Sequence, residues 1–106
     1  MKKDISMIVF NTTYLVSFDV HDTWLQWISF QHIPAMMETS FFKDPRLFRV
    51  LVDEEHGVTY SLQFSSPDMA SIQSWKEKHK NEMETDLRET FGDSVLFFST
   101  FLEEIK

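Results

Sequence analysis

Hydrophobic side chains recur at every second position in several stretches of the chain. From Val58 to Phe64 the apolar residues are separated by Thr59, Ser61 and Gln63. Because successive side chains of a β-strand point to opposite faces, this alternation predicts a strand with one buried and one polar face. The same reasoning predicts a first strand over residues 7–16, a second over 46–52 and a last over 94–102.

Two other stretches carry apolar residues three or four positions apart, which is the spacing of one face of an α-helix. In the first, Asp19 is placed to cap the helix and Asp22 falls in its first turn. Pro34 has no backbone N–H, so we expect it to end or kink this helix near residues 31–33 and to begin a short turn over residues 35–38. The apolar positions of this helix are Val20, Trp24, Trp27 and Ile28.

The second helix has the stronger start signal, because Ser66 can cap it and Pro67 and Asp68 suit its first turn. Gly92 is placed to stop it, since glycine readily adopts the backbone conformations that end helices. The stripe along this helix consists of Met69, Ile72, Trp75, His79, Met83, Leu87 and Phe91.

The order strand, helix, strand, strand, helix, strand predicts an α+β domain with the ferredoxin-like βαββαβ topology. In this arrangement two helices cover one face of a four-stranded antiparallel sheet and leave the other face open. Residues 53–57 are expected to form the polar loop of the hairpin between the second and third strands. The chain is long enough for one hydrophobic core, so we expect a single domain over residues 1–106.

Composition narrows the classes of function. The net charge of −7 leaves no basic surplus for neutralising phosphates, so nucleic acid and anionic membranes are disfavoured as partners. No apolar run is long enough for a membrane span. The sequence has no cysteine, which removes disulfides, thiolate nucleophiles and cysteine zinc sites and fits a cytoplasmic location. No phosphate-loop, dinucleotide or G-x-S-x-G motif is present, and we expect no cofactor.

Several local sequences resemble one known family. They are DTWLQW at residues 22–27, HIP at 32–34, RLFRVLVDEE at 46–55 and TYSLQ at 59–63. Together they resemble, over nearly the whole chain, the uncharacterised bacterial family called "domain of unknown function 4286". The resemblance implies a ferredoxin-like fold of the dimeric α/β-barrel kind, in which two open sheets pack face to face. It implies no established activity.

The open face of the predicted sheet is the first candidate site. The first and third strands are central neighbours in this topology, so we expect Ser61 and Gln63 to meet Asn11 and Thr13 at the middle of the open face. Arg49 is expected to flank them from the second strand. A dimer that closes over this face buries polar groups that need hydrogen-bond partners, which either a hydrated interface or a small-molecule ligand supplies.

His32 and Asn11 are the candidate catalytic residues. His32 stands just before Pro34 at the predicted end of the first helix, where its side chain can satisfy free backbone carbonyl groups. In several enzymes of the dimeric α/β-barrel superfamily a histidine near this point faces the cavity. The resemblance therefore implies general acid or base catalysis by His32 as an alternative to capping.

His79 and Trp75 are interpreted as packing residues, because both lie on the stripe of the second helix. Haem-degrading oxygenases of this fold use an asparagine of the first strand with a tryptophan and a histidine of the second helical part. Asn11, Trp75 and His79 match that pattern only in part, since Trp75 and His79 are one turn apart. We predict that the protein is not a haem-degrading enzyme. The acidic loop beside His56 is interpreted as a solvated turn, and no metal site is predicted.

These observations favour a small homodimeric domain with an auxiliary or small-ligand-binding role, in which any ligand lies between the two sheets. One alternative is a small oxygenase or isomerase of the dimeric α/β-barrel type. Another is a module that binds a protein partner. The sequence carries no signal that decides between an enzyme and a binding protein.

Overall fold

The sheet is organised around its first strand. The computed structural model describes residues 7–105, in which β1 (Ile8–Ser17) lies between β3 (Gly57–Ser66) and β4 (Val95–Glu103), and β2 (Lys43–Arg49) lies at one edge. All three neighbouring pairs are antiparallel. The predicted order of elements and the central position of the first and third strands are confirmed, and the chain has the ferredoxin-like α+β fold.

Alternate side chains of the strands are buried, as their two-residue period predicts. We call the face that packs against the helices the inner face and its opposite the open face. On the inner face, the Phe10 ring lies 4.9 Å from the Trp75 ring and 5.5 Å from the Phe42 ring. Fully buried Trp24 lies against Tyr14 and Tyr60 in the same core. These large aromatic side chains fix the distance between sheet and helices.

The first helical segment begins earlier than predicted. A 3-10 turn (Phe18–Val20) leads into α1 (His21–Trp27), and no side chain caps either start. Asp19 therefore lies inside the first turn, and the prediction that it caps the helix is wrong. The backbone N–H of Phe18 donates instead to the carbonyl oxygen of His56, 3.2 Å away. A donor at the start of this segment is thus satisfied by the neighbouring loop rather than by a side chain.

The helix does not stop at His32. A π-helical turn (Ile28–His32) leads directly into α2 (Ile33–Glu38), with Pro34 in the first turn of α2. Pro34 cannot donate the ordinary hydrogen bond to the preceding turn, and a wider turn before it accommodates that loss. The short turn predicted over residues 35–38 is present as the body of α2, but His32 is an interior residue and does not cap a helix end.

The second helical segment consists of α3 (Met69–Trp75), a π-helical turn (Lys76–Lys80) and α4 (Asn81–Phe91). Its N-cap is Asp68, whose Oδ1 accepts a hydrogen bond from the Ser71 backbone N–H at 2.8 Å. The prediction that Ser66 caps this helix is wrong, because Ser66 is fully buried at the end of β3. The segment ends as predicted at Gly92, whose φ of 55° suits a residue without a Cβ atom.

The edge strand β2 lies three residues earlier in the chain than predicted. It contains a bulge between Lys43 and Arg46, where Asp44 has a φ of 55°. The register places Arg49 opposite Tyr60, on the inner side of the sheet. The expectation that Arg49 flanks the polar residues of the open face is therefore wrong.

Candidate functional site

Asn11 lies at the centre of a hydrogen-bonded cluster on the open face. Its Oδ1 accepts hydrogen bonds from the Ser61 hydroxyl at 2.5 Å and from the Gln63 amide at 3.4 Å. Its Nδ2 donates to the hydroxyls of Thr13 at 3.4 Å and Thr100 at 3.3 Å. We call these five residues the polar centre. Four of them were predicted to meet here, whereas Thr100 comes from β4, to which the sequence reasoning assigned no site residue.

The pairing of the strands explains why these side chains meet. Asn11 stands directly opposite Gln63 of β3 and Thr100 of β4, and Thr13 stands opposite Ser61. Directly opposed residues of antiparallel strands share a face and have their Cβ atoms about 5 Å apart. Short polar side chains at these positions can therefore reach one another across three strands.

A rim of apolar side chains surrounds the polar centre on the same face. Phe98 of β4 is 62% exposed and Leu96 is 56% exposed, although both belong to a regular strand. A contiguous group of large, exposed apolar side chains usually marks an interaction site and not a surface that stays in contact with water. The rim consists of Leu15, Phe48, Leu96, Phe98 and Leu102.

The charge of the open face differs from that of the whole chain. The chain has 17 acidic and 10 basic residues, yet the paired strand positions of this face carry no acidic side chain. The basic residues on it are Lys43, opposite Ser65, and Arg46, opposite Gln63. The Arg46 guanidinium lies 5.0 Å from the centre of the Phe48 ring. At the edge of the open face, the Glu54 carboxylate accepts a hydrogen bond from the Thr59 hydroxyl at 3.1 Å. The open face is therefore neutral to weakly basic on an acidic protein.

His32 lies on the other side of the sheet, between the helices and the inner face. Its ring stacks on Trp27 with 4.9 Å between ring centres. Burial lowers the pKa of His32 to about 4, although the negative charge of Asp86 acts in the opposite direction. His32 is therefore neutral at pH 7, as a general base must be before it accepts a proton.

His32 borders a small, half-open cavity of about 30 Å³ between the helices and the inner face. Thr12 and Ser99 lie on its sheet side and share a hydrogen bond of 2.9 Å between their hydroxyl oxygens. The space is sufficient for a water molecule. Its other walls include Phe10, Tyr14, Trp27, Met36, Trp75, Met83, Glu84, Leu87 and Phe97.

The structure does not bring Asn11, Trp75 and His79 together. Asn11 lies on the open face, whereas Trp75 is buried on the inner side against Phe10 and Phe42. His79 is half-buried and its ring centre lies 6.1 Å from that of Phe41. The two catalytic candidates, Asn11 and His32, are likewise on opposite sides of the sheet.

Sequence reasoning missed a contact between His21 and Tyr60, whose Nε2 and hydroxyl oxygen lie 2.6 Å apart. Burial raises the pKa of Tyr60, and the positive charge of Arg49 acts in the opposite direction. Arg49 thus belongs to this neighbourhood and not to the polar centre. No sequence signal indicates the contact, because it depends on the way α1 crosses β3.

The hairpin loop carries no assembled metal site. His56 and Glu55 are both exposed and lie 3.8 Å apart. Nowhere within residues 7–105 do three histidine or acidic side chains converge as metal ligands. Within the same residues, no helix is both long and apolar enough to cross a membrane.

Comparison with known proteins yields one family. The family described as "Domain of unknown function (DUF4286)" matches residues 7–105 of this chain. No curated protein matches it.

Solved structures with the same fold exist at low sequence identity. A protein of the ethyl tert-butyl ether D (EthD) family from Bacillus halodurans superposes with a TM-score of 0.69 at 15% identity, covering 93% of this chain and 99% of its own. A Bacillus cereus protein that carries the name of an antibiotic biosynthesis monooxygenase has a TM-score of 0.60 at 10% identity, with coverages of 95% and 97%. A dimeric ferredoxin-like protein from an uncultured marine organism has a TM-score of 0.56 at 11% identity and the same coverages. The superpositions establish a shared fold, whereas sequence identities this low establish no shared activity.

Proposed function

The chain belongs to the DUF4286 family of unknown function, and we propose that it works as a homodimeric small-ligand-binding domain. Two copies pack their open faces together, and a small polar ligand lies between the two polar centres. The observation that carries this proposal is the composition of the open face, which joins a hydrogen-bonded polar centre to a rim of exposed apolar side chains.

Association of two copies explains the apolar rim. A twofold dimer uses the same surface on both subunits, so that surface must tolerate its own charge. The open face meets this condition, because the acidic residues that dominate the chain are absent from its paired positions. Burial of Phe98 and Leu96 against a second copy removes apolar area from water at about 25 cal/mol per Å². The dimeric neighbour of the same fold supports this assembly.

The polar centre provides hydrogen-bonding groups toward the second copy. The hydroxyls of Thr13 and Thr100 accept from Asn11, so each keeps a proton that it can donate outward. Gln63 donates through its amide nitrogen and keeps its carbonyl oxygen as an acceptor. When two such surfaces close, these groups lose bulk water and need new partners. A small molecule with both donors and acceptors supplies them at the centre of the interface.

Native mass spectrometry of the gently purified protein tests both parts of the proposal. We expect a species of two chains with an excess mass from a bound small molecule. Asn11→Ala removes the centre of the hydrogen-bonding cluster and is expected to keep the dimer while losing the excess mass. His56→Gln, on the exposed hairpin loop, is the control and is expected to keep both. A dimer with no excess mass, or an excess that persists in Asn11→Ala, contradicts ligand binding at the polar centre.

A further inference from the structure

We propose that the cavity between the helices and the inner face is a second binding site, for a neutral molecule the size of one aromatic ring that carries a hydrogen-bond-accepting oxygen. Tyr14, His32 and Trp75 line this cavity from three different elements. The site lies within one protomer, so it does not depend on dimerisation or on the polar centre.

Polar groups without partners point to an occupant. Tyr14 is only 3% exposed, yet its hydroxyl makes no hydrogen bond within residues 7–105. The Trp75 Nε1 is buried with no hydrogen-bond partner, and the half-buried His32 ring makes no hydrogen bond within the same residues. An unsatisfied buried polar group costs about 1–3 kcal/mol. Such groups are paired in most native structures, and both the buried Trp75 indole and the unbonded Tyr14 hydroxyl belong to residues that line this space.

The tyrosine hydroxyl and the indole N–H define the chemistry of the partner. The indole N–H is only a donor, and a tyrosine hydroxyl can donate its proton. Burial, and to a lesser extent the negative charge of Glu84, raises the pKa of Tyr14, so its hydroxyl keeps that proton. A carbonyl, ether or hydroxyl oxygen of a ligand fits these donors. The flat rings of Trp27 and Trp75 suit an aromatic or unsaturated body.

The residues that line the cavity offer no cation to an anionic ligand. Neither Lys nor Arg lines the cavity, and burial keeps His32 neutral at pH 7. The one charged lining residue is Glu84, which pairs with Lys80 at 3.0 Å and with Arg88 at 3.7 Å. With that carboxylate already neutralised by two cations, a neutral ligand fits better than either an anion or a cation.

The cavity has an entrance on the helical side. A groove of about 200 Å³ outside it shares Trp27, His32 and Met83 with the cavity lining. Methionine side chains are flexible enough to move aside for a ligand. The cavity alone holds about 30 Å³, so a ring-sized ligand displaces the His32 and Met83 side chains and extends into the groove.

Both helical segments are irregular at this site. The π-helical turn Ile28–His32 ends at His32, and the π-helical turn Lys76–Lys80 begins directly after Trp75. Such turns are rare in proteins and occur frequently at functional sites. Their position beside two of the lining residues is a second observation, independent of the unpartnered groups.

Titration with acetophenone, followed by the indole N–H signals in nitrogen-15 NMR spectra, tests this site. Acetophenone is a neutral aromatic ketone, benzoate is its anionic analogue, and ethylbenzene lacks the oxygen. We expect a saturable shift of the Trp75 signal with acetophenone. Trp24 is the internal control, because its Nε1 is also buried and unpartnered but its ring does not line the cavity. Single substitutions by Phe assign the three tryptophan signals.

Two tyrosine variants separate this site from general binding to the core. Tyr14→Phe removes the hydroxyl at the cavity and is expected to weaken acetophenone binding about 3- to 10-fold, the effect of one neutral hydrogen bond. Tyr60→Phe removes a hydroxyl that does not line the cavity and is expected to leave binding unchanged. Benzoate is expected to bind at least about tenfold more weakly.

Four results would overturn the proposal. Two concern the NMR signals: no saturable shift up to the solubility limit of acetophenone, or equal shifts of the Trp24 and Trp75 signals. The other two concern affinity: benzoate binding as tightly as acetophenone, or ethylbenzene binding as tightly as acetophenone. The last result would show that no hydrogen bond to the oxygen is made.

Discussion

At the scale of single residues, His32 makes the stability of the protein depend on pH. The unfolded chain binds a proton at this residue near pH 6.5, whereas burial lowers the pKa in the folded protein to about 4. The unfolded state therefore binds more protons at this residue between these two values, so the contribution of His32 to stability falls as the pH decreases from about 6.5 to 4 and changes no further below 4. At about 1.4 kcal/mol per pKa unit, the loss from this residue is at most about 3.5 kcal/mol.

His32→Gln keeps a polar side chain that does not titrate. We expect this variant to lose less stability than the wild type when urea unfolding is compared at pH 7 and pH 4.5. His56→Gln is the matched control, since His56 is exposed on the hairpin loop, and it is expected to keep the wild-type difference. Equal pH dependence in His32→Gln and the wild type would show that His32 is not held neutral by burial.

Leu87 and His79 occupy the same predicted helix stripe but differ in burial. Leu87 is 4% exposed in the core, whereas His79 is only half-buried beside Phe41. Leu87→Ala leaves a cavity and is expected to cost about 2–5 kcal/mol of unfolding free energy. His79→Leu keeps the packing volume and is expected to cost less than about 1 kcal/mol. Thermal or urea unfolding of the two variants measures the difference, and a larger loss for His79→Leu would contradict the packing interpretation.

Four of the five residues of the polar centre could be predicted from the sequence, whereas Thr100 and the position of Arg49 could not. Asn11, Thr13, Ser61 and Gln63 follow from the two-residue period of two strands that are central neighbours in this topology. The face on which Arg49 lies depends, in addition, on the register in which β2 pairs with β3. A five-residue loop over 53–57 puts Arg49 opposite Ser61, but the observed pairing puts it opposite Tyr60. This shift of one residue moves the side chain to the other face.

At the scale of elements, the sequence predicts where the helical segments lie better than it predicts the π-helical turns within them. The apolar spacing and Gly92 set the extent of the second helical segment, and Pro34 accounts for the turn before α2. The π-helical turn Lys76–Lys80 contains no proline or glycine, and its sequence gives no reason for it. The N-cap of the second segment lies two residues later than predicted. Ser66 still belongs to β3, so Asp68 is the residue that accepts a hydrogen bond from a free N–H group of the first turn, that of Ser71.

Gly57 is required where β3 begins beside β1. A Cβ atom at this position would lie 2.2 Å from the carbonyl oxygen of Val16, so the backbone must shift to admit any side chain. We expect Gly57→Ala to destabilise the protein by about 1–3 kcal/mol and to weaken hydrogen-exchange protection around Ser17 and Phe18. Gly92→Ala is the comparison, because it strains a positive φ but meets no atom within 4 Å. We expect the loss of hydrogen-exchange protection in Gly57→Ala to stay near Ser17 and Phe18. An equal loss at both ends of the sheet in Gly57→Ala and in Gly92→Ala would contradict this expectation.

At the scale of the whole molecule, one sheet separates two surfaces of different chemistry. The open face carries exposed apolar side chains around the polar centre, whereas the inner face and the helices enclose an aromatic core with a small cavity. The low-identity structural neighbours share the fold of this chain without fixing an activity. The proposed dimer assigns the open face to assembly and leaves the helical side of each protomer accessible to ligands.

The central claim is that the open face joins two copies of the chain, and light scattering of the wild type with two single-residue variants tests it most directly. We expect the wild type at micromolar concentration to have twice the 12.6 kDa mass of one chain. Phe98→Glu adds a charge to the apolar rim of each copy and is expected to give monomers. Phe30→Glu adds the same charge at a phenylalanine that is 76% exposed on the helical side, and it is expected to remain dimeric. A wild type of 12.6 kDa, or a Phe98→Glu variant as fully dimeric as Phe30→Glu, would contradict the account.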